Sequence, residues 1–176
     1  MPCPTVRPLK RAVFLDRDGV IIRDSGYLDS ITKLEWVPGI FHTLQRLKEL
    51  DIPVVVVTNQ SGVARGYFSE DDVQRIHAHM QQVIRSRGGL IAAFYQCPFH
   101  PEAVLPTYRH ENHPDRKPNP GMIIRAARDW NLDLKRSVMI GDKSSDVEAG
   151  RRAGLKSYLF DDYNIYQYFC KRQLFK

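Results

Sequence analysis

The sequence predicts an α/β protein with a central parallel sheet that is covered by helices on both faces. Short apolar runs alternate with segments of helical periodicity along most of the 176 residues. The clearest run, residues 53–58, is rich in valine, which is typical of a strand buried on both faces. Polar residues follow several of these runs, at the strand ends where such folds bind ligands. Together these observations favour a Rossmann-like, three-layer α/β/α fold.

The predicted elements follow one another in a regular order. The strands cover residues 12–15, 53–58, 92–97, 137–141 and 156–160, and the helices cover 38–50, 69–87, 118–131 and 143–153. Ser69 begins its helix as an N-cap before three acidic residues, which complement the helix dipole. Residues 21–36 show no sustained period, and we expect a loop or small flap over the site. The aromatic and basic tail after Asp161 is predicted to form a short packing helix.

Length and composition indicate one domain. Of the residues, 43% are hydrophobic and 26% are charged, as in ordinary globular proteins with a substantial core. We expect a basic N-terminal arm over residues 1–10 and a single domain over residues 11–176, with a long loop rich in proline and histidine at 98–118. Between residues 59 and 116 there is room for only about one helix and one strand, so no large cap domain is predicted.

Composition also limits the expected cellular location and the expected binding partners. No apolar run is long enough to span a bilayer and the N-terminus has no signal-peptide core, so no membrane partner is expected. The scattered cysteines Cys3, Cys97 and Cys170 argue against a disulfide framework and favour the cytoplasm. The net charge of +6 favours anionic partners, but the basic residues are dispersed, so nucleic acid is not expected. A monomer or a weak dimer is expected.

The first strand ends in two carboxylates and a glycine. Asp16 and Asp18 are two residues apart, a spacing that puts both side chains on one face of an extended segment. There they can share a divalent cation, which prefers hard oxygen ligands. Gly19 then allows a sharp turn and the close approach of a ligand. A solvated Asp-Gly turn at the end of a strand explains this stretch equally well when it is taken alone.

Similar clusters follow later in the chain. Thr58 offers a hydroxyl beside free backbone N–H groups, as in a phosphate cradle. Arg116 and Lys117 place two cations just before a predicted helix, which suits an anion. Asp142 follows the fourth strand where a metal ligand would lie, and Asp146, one turn later, is explained as a helix cap. Taken singly, each cluster is also explained as an ordinary polar turn.

The joint order of these motifs resembles the phosphotransferase branch of the haloacid dehalogenase superfamily, over nearly the whole chain from Arg11 to Phe160. Four segments, residues 14–19, 57–66, 97–101 and 116–122, are similar to the heptose 1,7-bisphosphate phosphatase family of that branch. The histidinol-phosphate phosphatases share the first and last segments and are the alternative. They usually have Asp-Gly-Leu after Thr-Asn-Gln, where this chain has Ser-Gly-Val-Ala-Arg-Gly.

The resemblance implies a Mg²⁺-dependent phosphatase that removes the 7-phosphate of a D-glycero-D-manno-heptose 1,7-bisphosphate through an aspartyl-phosphate. It implies that Asp16 is the nucleophile and that Asp18 is the general acid and base. Thr58 and Lys117 would hold the phosphoryl oxygens. Mg²⁺ would be bound by Asp16, the backbone carbonyl of Asp18, and Asp142.

The resemblance also implies contacts with the small phosphorylated sugar, the expected partner of the chain. The residues assigned to substrate binding are Asp24, Ser25, Gly26, Tyr27, Asn59, Gln60, Ser61, Arg116 and Lys143. The non-enzyme alternative is a module that binds a phosphorylated ligand without catalysis. It would be favoured if Asp16, Asp18, Lys117 or Asp142 had been lost, and the sequence retains all of them.

The long loop departs from the family pattern. Many heptose bisphosphatases carry a structural zinc there on Cys-x-His and Cys-x-Cys. This chain keeps Cys97 but has Phe99, His113 and Asp115 at the other ligand positions. A replacement set is chemically possible from Cys97, His100, His110, His113 or Asp115, since zinc accepts S, N and O ligands. With three usual ligands missing, we expect no zinc. The remaining histidines are expected in packing or at the surface: His42, His77 and His79.

Overall fold

A computed structural model describes residues 8–28 and 30–176 of the chain, so most of the predicted arm over 1–10 lies outside the described residues. At the centre is a five-stranded sheet in which all paired strands run parallel. The strands are β1 (Val13–Leu15), β2 (Val54–Asn59), β3 (Ala93–Cys97), β4 (Val138–Gly141) and β5 (Lys156–Leu159), in the order β3-β2-β1-β4-β5. The predicted fold class is confirmed.

Helices join the strands. They are α1 (Ile40–Glu49), α2 (Ser61–Ala64), α3 (Glu70–Ser86), α4 (Gly121–Trp130), α5 (Ser144–Arg152) and α6 (Ile165–Lys171), with 3-10 turns at Ile31–Lys33, Pro106–Tyr108 and Leu134–Arg136. The predicted N-cap of α3 is confirmed, because Ser69 and Asp72 form a reciprocal capping box. The sequence did not predict α2, whose four residues are too few to show a helical period.

The strands of the sheet bury alternate residues on opposite faces. Val13 and Leu15 of β1 join the core beneath α1, α3 and α6, whereas Phe14 between them joins the core beneath α4 and α5. Helix α6 is the packing helix predicted for the tail, and Phe169 on it is fully buried in the first of these cores. The sheet is therefore covered on both faces.

The register of the middle strands fixes the position of the polar residues. Leu15 of β1 lies opposite Val56 of β2 and Ile140 of β4. The next residue, Asp16, donates its backbone N–H to the carbonyl of Ile140 at 3.0 Å. Asp16 is thus held at the centre of the edge formed by the carboxyl ends of the strands, which we call the carboxyl edge.

Two connections contain little regular secondary structure: residues 21–36, where a loop or flap was predicted, and residues 98–118, where a long loop was predicted. Apart from the isolated bridges of Ile22 with Asp18 and with Trp36, the described residues of 21–36 contain a single 3-10 turn. Residues 98–118 contain one 3-10 turn and no other helix or strand. None of the helices within residues 8–28 and 30–176 has both the length and the apolar composition needed to cross a membrane.

Gly150 provides a test of the packing between α5 and the sheet. A Cβ on Gly150 would lie 2.7 Å from the Cβ of Met139 and closer still to the hydroxyl of Ser157. Alanine is favoured over glycine inside a helix by about 1 kcal/mol, but overpacking typically costs about 1–3 kcal/mol. Because the strand cannot move away easily, we expect Gly150→Ala to lower the free energy of unfolding, measured by urea denaturation, by about 1–2 kcal/mol.

The matched control is the double variant Gly150→Ala/Ser157→Ala. It removes the hydroxyl contact but leaves the contact with Met139, so only part of the stability should return. An unfolding midpoint of Gly150→Ala equal to or above that of the parent chain would contradict the proposed clash.

Candidate active site

Three carboxylates meet at the carboxyl edge. Asp16 follows β1, Asp142 follows β4, and Asp146 lies in the first turn of α5. One oxygen of each lies within 4.8 Å of the others, and no further group of this kind is found in residues 8–28 and 30–176. Two of the three, Asp16 and Asp142, were predicted from the sequence as metal ligands.

The side chain of Lys117 crosses into this cluster from the end of the long loop. Its Nζ lies 2.8 Å from Asp16 Oδ1 and 2.7 Å from Asp146 Oδ1. It also donates to the backbone carbonyl of Val57 at 2.8 Å. All three hydrogens of the ammonium group thus have acceptors, as a buried cation requires. Lys117 is 4% exposed, so this arrangement is almost free of solvent.

Asp146 has two roles, of which the sequence indicated only one. Its Oδ2 accepts the backbone N–H of Lys143 at 3.0 Å, which is the predicted cap of the helix. Its Oδ1 meets Lys117, and this pairing was missed. The signal that could have found it is Gly141, because any Cβ there would collide with the Asp146 side chain. The glycine allows the carboxylate to pack against the end of β4.

Asn59 fixes the main chain at Lys117. Its Nδ2 donates to the carbonyl of Lys117 at 3.0 Å, and its Oδ1 accepts the Lys117 N–H at 3.1 Å. Arg116, the preceding residue, donates to the carbonyl of Phe99 at 3.1 Å inside the loop. Both polar ends of the Asn59 side chain are therefore engaged with protein, although the sequence assigned Asn59 to substrate binding.

The carboxylate of Asp18 lies beside the cluster and not within it. It is bound by Arg17 and by Gln60, whose Nε2 donates to Asp18 Oδ2 at 2.9 Å. The same Nε2 donates to Thr58 Oγ1 at 2.8 Å. The predicted acid and base, the predicted phosphate-binding hydroxyl and Gln60 thus form one hydrogen-bonded group next to Asp16.

A cavity of about 300 Å³ opens beside this group. Gly26 and Tyr27 of the flap line one side of it, and Gln60 and Ser61 at the start of α2 line the other. Lys143 and Asp24, which also line the cavity, form an ion pair of 2.9 Å that joins the flap to the end of β4. Of the predicted substrate residues, Ser25 and Arg116 are not part of this lining, and Asn59 is.

Charge in the cluster is not balanced. Three carboxylates face one buried ammonium group. Burial raises the pKa of Asp16 to about 7, although Lys117 acts in the opposite direction, and the neighbouring Asp146 carboxylate raises it further. Burial also raises the pKa of Asp142, against the effect of Lys143. The site therefore favours either a bound proton or an added cation.

The cluster has the properties of a Mg²⁺ site. Its donors are carboxylate oxygens, which hard divalent cations prefer. Asp142 Oδ1 is buried and has no hydrogen-bond partner among the described residues. A Cβ at Gly19 would collide with the Asp142 side chain, so the absence of a side chain there lets this carboxylate approach the turn that follows β1. A cation would satisfy both the charge and the unpaired oxygen.

A parallel sheet with an Asp-x-Asp turn after its first strand and a buried lysine beside it defines a phosphotransferase of the haloacid dehalogenase superfamily. A family model described as "HAD-hyrolase-like" matches residues 115–162, the part that carries Lys117, Asp142 and Asp146. The chain belongs to the family of D-glycero-D-manno-heptose-1,7-bisphosphate 7-phosphatases, as its relatives show.

Among these relatives, a D-glycero-alpha-D-manno-heptose-1,7-bisphosphate 7-phosphatase from Burkholderia mallei is 48% identical over 149 residues, 85% of this chain and 78% of the relative. A D-glycero-beta-D-manno-heptose-1,7-bisphosphate 7-phosphatase from Rhodopseudomonas palustris is 43% identical over 158 residues, 90% and 87% of the two chains. The solved D,D-heptose 1,7-bisphosphate phosphatase from B. bronchiseptica, complexed with magnesium and phosphate, superposes with a TM-score of 0.77 at 31% identity, covering 92% of this chain and 86% of that one.

The loop at 98–118 brings some of the alternative zinc ligands together in pairs, since Cys97 Sγ lies 3.9 Å from His113 Nδ1 and the rings of His110 and His113 are 5.0 Å apart. In the described residues, Cys97, His100, His110, His113 and Asp115 form no group comparable to the three aspartates. The Nδ1 atoms of the three histidines accept backbone N–H groups two residues further on, at 3.0–3.2 Å. The Phe99 ring stacks on that of His113 at 3.9 Å, and Asp115 forms an ion pair with Arg125. Aromatic packing and local hydrogen bonds shape the loop.

Basic residues that are dispersed in the sequence meet at the opposite edge of the sheet, where the strands begin. They line an open cavity of about 740 Å³: Arg11, Lys135, Arg136, Lys156, Arg172 and Lys176. Among the residues that the structure describes, no acidic side chain lines this cavity. Much of the excess positive charge thus lies away from the candidate active site.

We predict that Mg²⁺ binding is linked to the release of a proton. The pKa of Asp16 is higher in the metal-free folded chain than in the unfolded chain, so the folded state holds this proton more tightly. The resulting stabilisation is fully present below about pH 4 and is lost as the pH rises through about 7. Since Mg²⁺ needs the ionised carboxylate, its affinity should rise by about tenfold or more between about pH 5.5 and pH 7.5. Calorimetric titration in buffers of different ionisation enthalpy measures both the affinity and the proton released.

Asp115→Asn is the matched control for this titration, because Asp115 is also ion-paired but lies outside the cluster. It should leave Mg²⁺ affinity unchanged, whereas Asp142→Asn should lower it strongly. A Mg²⁺ affinity that is the same across the pH range would contradict the proposed link between Mg²⁺ binding and the loss of a proton from Asp16.

Proposed function

We propose that this chain is a Mg²⁺-dependent phosphatase that hydrolyses the 7-phosphate of D-glycero-D-manno-heptose 1,7-bisphosphate. The observation that carries the proposal is the convergence of Asp16, Lys117 and Asp142 at the carboxyl edge, beside a cavity of about 300 Å³. The names of the relatives support the choice of substrate. A reducing, cytoplasmic location fits the free thiols of Cys97 and Cys170.

The proposed reaction has two steps. In the first, a carboxylate oxygen of Asp16 attacks phosphorus, the bond from phosphorus to the sugar oxygen breaks, and Asp18 gives a proton to that oxygen. In the second, Asp18 takes a proton from water as the water attacks the aspartyl-phosphate. Inorganic phosphate leaves and the Asp16 carboxylate is restored, so the protons balance over the cycle.

Lys117 and Thr58 are proposed to hold the transferring phosphoryl group. Lys117 brings a full positive charge into a site with little solvent, where charge interactions are stronger than in water. Thr58 Oγ1 accepts its hydrogen bond from Gln60, so its own hydrogen remains available for a phosphoryl oxygen. Positioning and charge neutralisation supply most of the rate enhancement in phosphoryl transfer.

Mg²⁺ is proposed to be held by Asp16, Asp142 and the backbone carbonyl of Asp18. Asp146 is already engaged by Lys117 and by the N–H of Lys143, which assigns it to the orientation of Lys117. When bound, the cation offsets the repulsion between the carboxylates and a phosphate dianion. It also favours the ionised form of Asp16, which a nucleophile requires.

The sugar and its second phosphate are proposed to occupy the cavity between the flap and α2. Seven of the residues that the sequence assigned to substrate binding line this cavity: Asp24, Gly26, Tyr27, Asn59, Gln60, Ser61 and Lys143. Within this set, the amides of Asn59 and Gln60 are bound by protein, so we assign them to positioning their neighbours. Ser61 and Tyr27 line the cavity and remain as contacts for the hydroxyl groups of the sugar.

The test is phosphate release with Mg²⁺ from the α and β heptose 1,7-bisphosphates and from histidinol phosphate. We expect one of the heptose bisphosphates to be preferred over histidinol phosphate by at least about tenfold in kcat/KM, or about 1.4 kcal/mol in transition-state binding. Asp16→Asn, which is nearly isosteric, should keep the thermal transition and lose turnover. Preference for histidinol phosphate would overturn the substrate, and full turnover by Asp16→Asn would overturn the mechanism.

We further propose that the loop at 98–118 folds without zinc. The stack of Phe99 on His113 and the ion pair of Asp115 with Arg125 supply the contacts that a metal would otherwise provide. Metal analysis of purified protein should find less than about 0.1 zinc per chain, and a strong chelator should leave the thermal transition of the Mg²⁺-free protein unchanged. Stoichiometric zinc, or unfolding on chelation, would contradict this proposal.

A further inference from the structure

Arg17, between the two aspartates of the first turn, is buried in an unusual way for an arginine. It is 1% exposed and is the largest fully buried side chain in residues 8–28 and 30–176. Arginine is almost never fully buried unless it is paired, because its charge cannot be removed by deprotonation. The partners of the guanidinium group therefore indicate why the residue is placed there.

The first partner is the carboxylate of Asp18. Arg17 Nη2 lies 3.0 Å from both Asp18 Oδ1 and Asp18 Oδ2, and Nε lies 3.2 Å from Oδ1. Contacts from two nitrogens of one planar group fix the direction of the carboxylate as well as its position. Asp18 is thus oriented by the residue that precedes it.

The guanidinium group is itself held by two residues from other elements. Nη2 donates to Gln60 Oε1 at 3.0 Å, before the start of α2. Nη1 lies 3.3 Å from Nε2 of His77, a buried residue of α3. Since arginine only donates, Nε2 of His77 accepts, so this imidazole is neutral. Burial, aided by Arg17, lowers the pKa of His77 to about 3, in agreement with a neutral ring.

Packing holds the ring of His77 in this position. Its ring stacks on Phe94 of β3 at 4.4 Å between centroids and is 3% exposed. The acceptor for Arg17 is thereby fixed to both the sheet and α3. Contacts therefore lead from His77 to Arg17 and from Arg17 to Asp18. Gln60 contacts both Arg17 and Asp18 and also donates to Thr58.

We propose that Arg17 is a positioning residue that orients Asp18 for proton transfer, and that His77 supports it. The inference rests on the proposed function, because it gives Asp18 the role of acid and base. A purely structural role explains the network less well: replacing buried ion pairs by apolar residues of similar volume is often neutral or stabilising. The hydrogen bonds of Arg17 converge instead on the one carboxylate that must meet the leaving oxygen at a defined angle.

A comparison of kcat/KM for two leaving groups distinguishes a loss of acid orientation from a general loss of active-site structure. A sugar alkoxide needs a proton as it departs, whereas nitrophenolate departs without one. We therefore expect Arg17→Met, which keeps most of the volume, to lower kcat/KM for the heptose bisphosphate by about tenfold to a hundredfold, a part of the roughly 10²- to 10⁴-fold that general acid catalysis contributes. For p-nitrophenyl phosphate, kcat/KM should fall by less than about threefold. Arg17→Lys keeps the charge without the planar fork and should behave like Arg17→Met.

His77 gives a pair of variants at one position. His77→Gln keeps an acceptor for Arg17 Nη1 and should restore the parent ratio of the two kcat/KM values. His77→Leu removes the acceptor and should shift that ratio in the same direction as Arg17→Met, by less. This pair tests whether the support of Arg17 affects proton transfer even if the Arg17 variants do not fold, since both His77 variants retain Arg17.

A double variant tests whether Arg17 acts through Asp18. In the Asp18→Asn background the acid is absent, so adding Arg17→Met should change the ratio no further. Equal losses on both substrates for Arg17→Met and for His77→Leu would overturn the inference and leave Arg17 a structural residue. Failure of the parent chain to hydrolyse either substrate would instead overturn the proposed function, which keeps the two results distinguishable.

Discussion

The ammonium group of Lys117 is held between the carboxylates of Asp16 and Asp146, at the point where the middle strands of the sheet end. Neither the cation nor the two anions would be tolerated there alone, because an unpaired buried charge costs several kcal/mol. Each element that reaches the site is therefore tied to the others: β1 and α5 supply the anions, the long loop supplies the cation, and β2 supplies the carbonyl of Val57. The arrangement leaves an excess of negative charge, which makes it a site for a divalent cation.

Much of this was accessible from the sequence because the folding pattern is local. Valine-rich strands that alternate with amphipathic helices predict a parallel sheet. Parallel strands bring their carboxyl ends to one edge of the sheet, whatever segments connect them. Asp16 and Asp142 could thus be placed together although they are far apart in the chain. Lys117 follows a long loop, and the resemblance to the family assigned it to the same site. The short helix α2 was missed because four residues carry no period.

The residues that sequence reasoning passed over are those whose roles depend on side-chain contacts across the fold. Asp146 was explained as a helix cap, and it is one, but its second oxygen meets a lysine from another element. Arg17 was given no role from the sequence, and its buried guanidinium group is bound by Gln60, which precedes α2, and by His77 of α3. Basic residues dispersed along the chain gather at the amino ends of the strands only once the sheet has formed.

The two hydrogen bonds between the Asn59 side chain and the main chain of Lys117 separate the long loop into two parts with different constraints. The end that carries the lysine is fixed to β2 by these bonds. The interior, which holds the Phe99 and His113 stack, is joined to that end through Arg116, which donates its backbone N–H to the carbonyl of His113 and a side-chain N–H to the carbonyl of Phe99. The contacts of Asn59 act on the main chain of Lys117, so they hold this residue against β2 whichever anion the ammonium group meets.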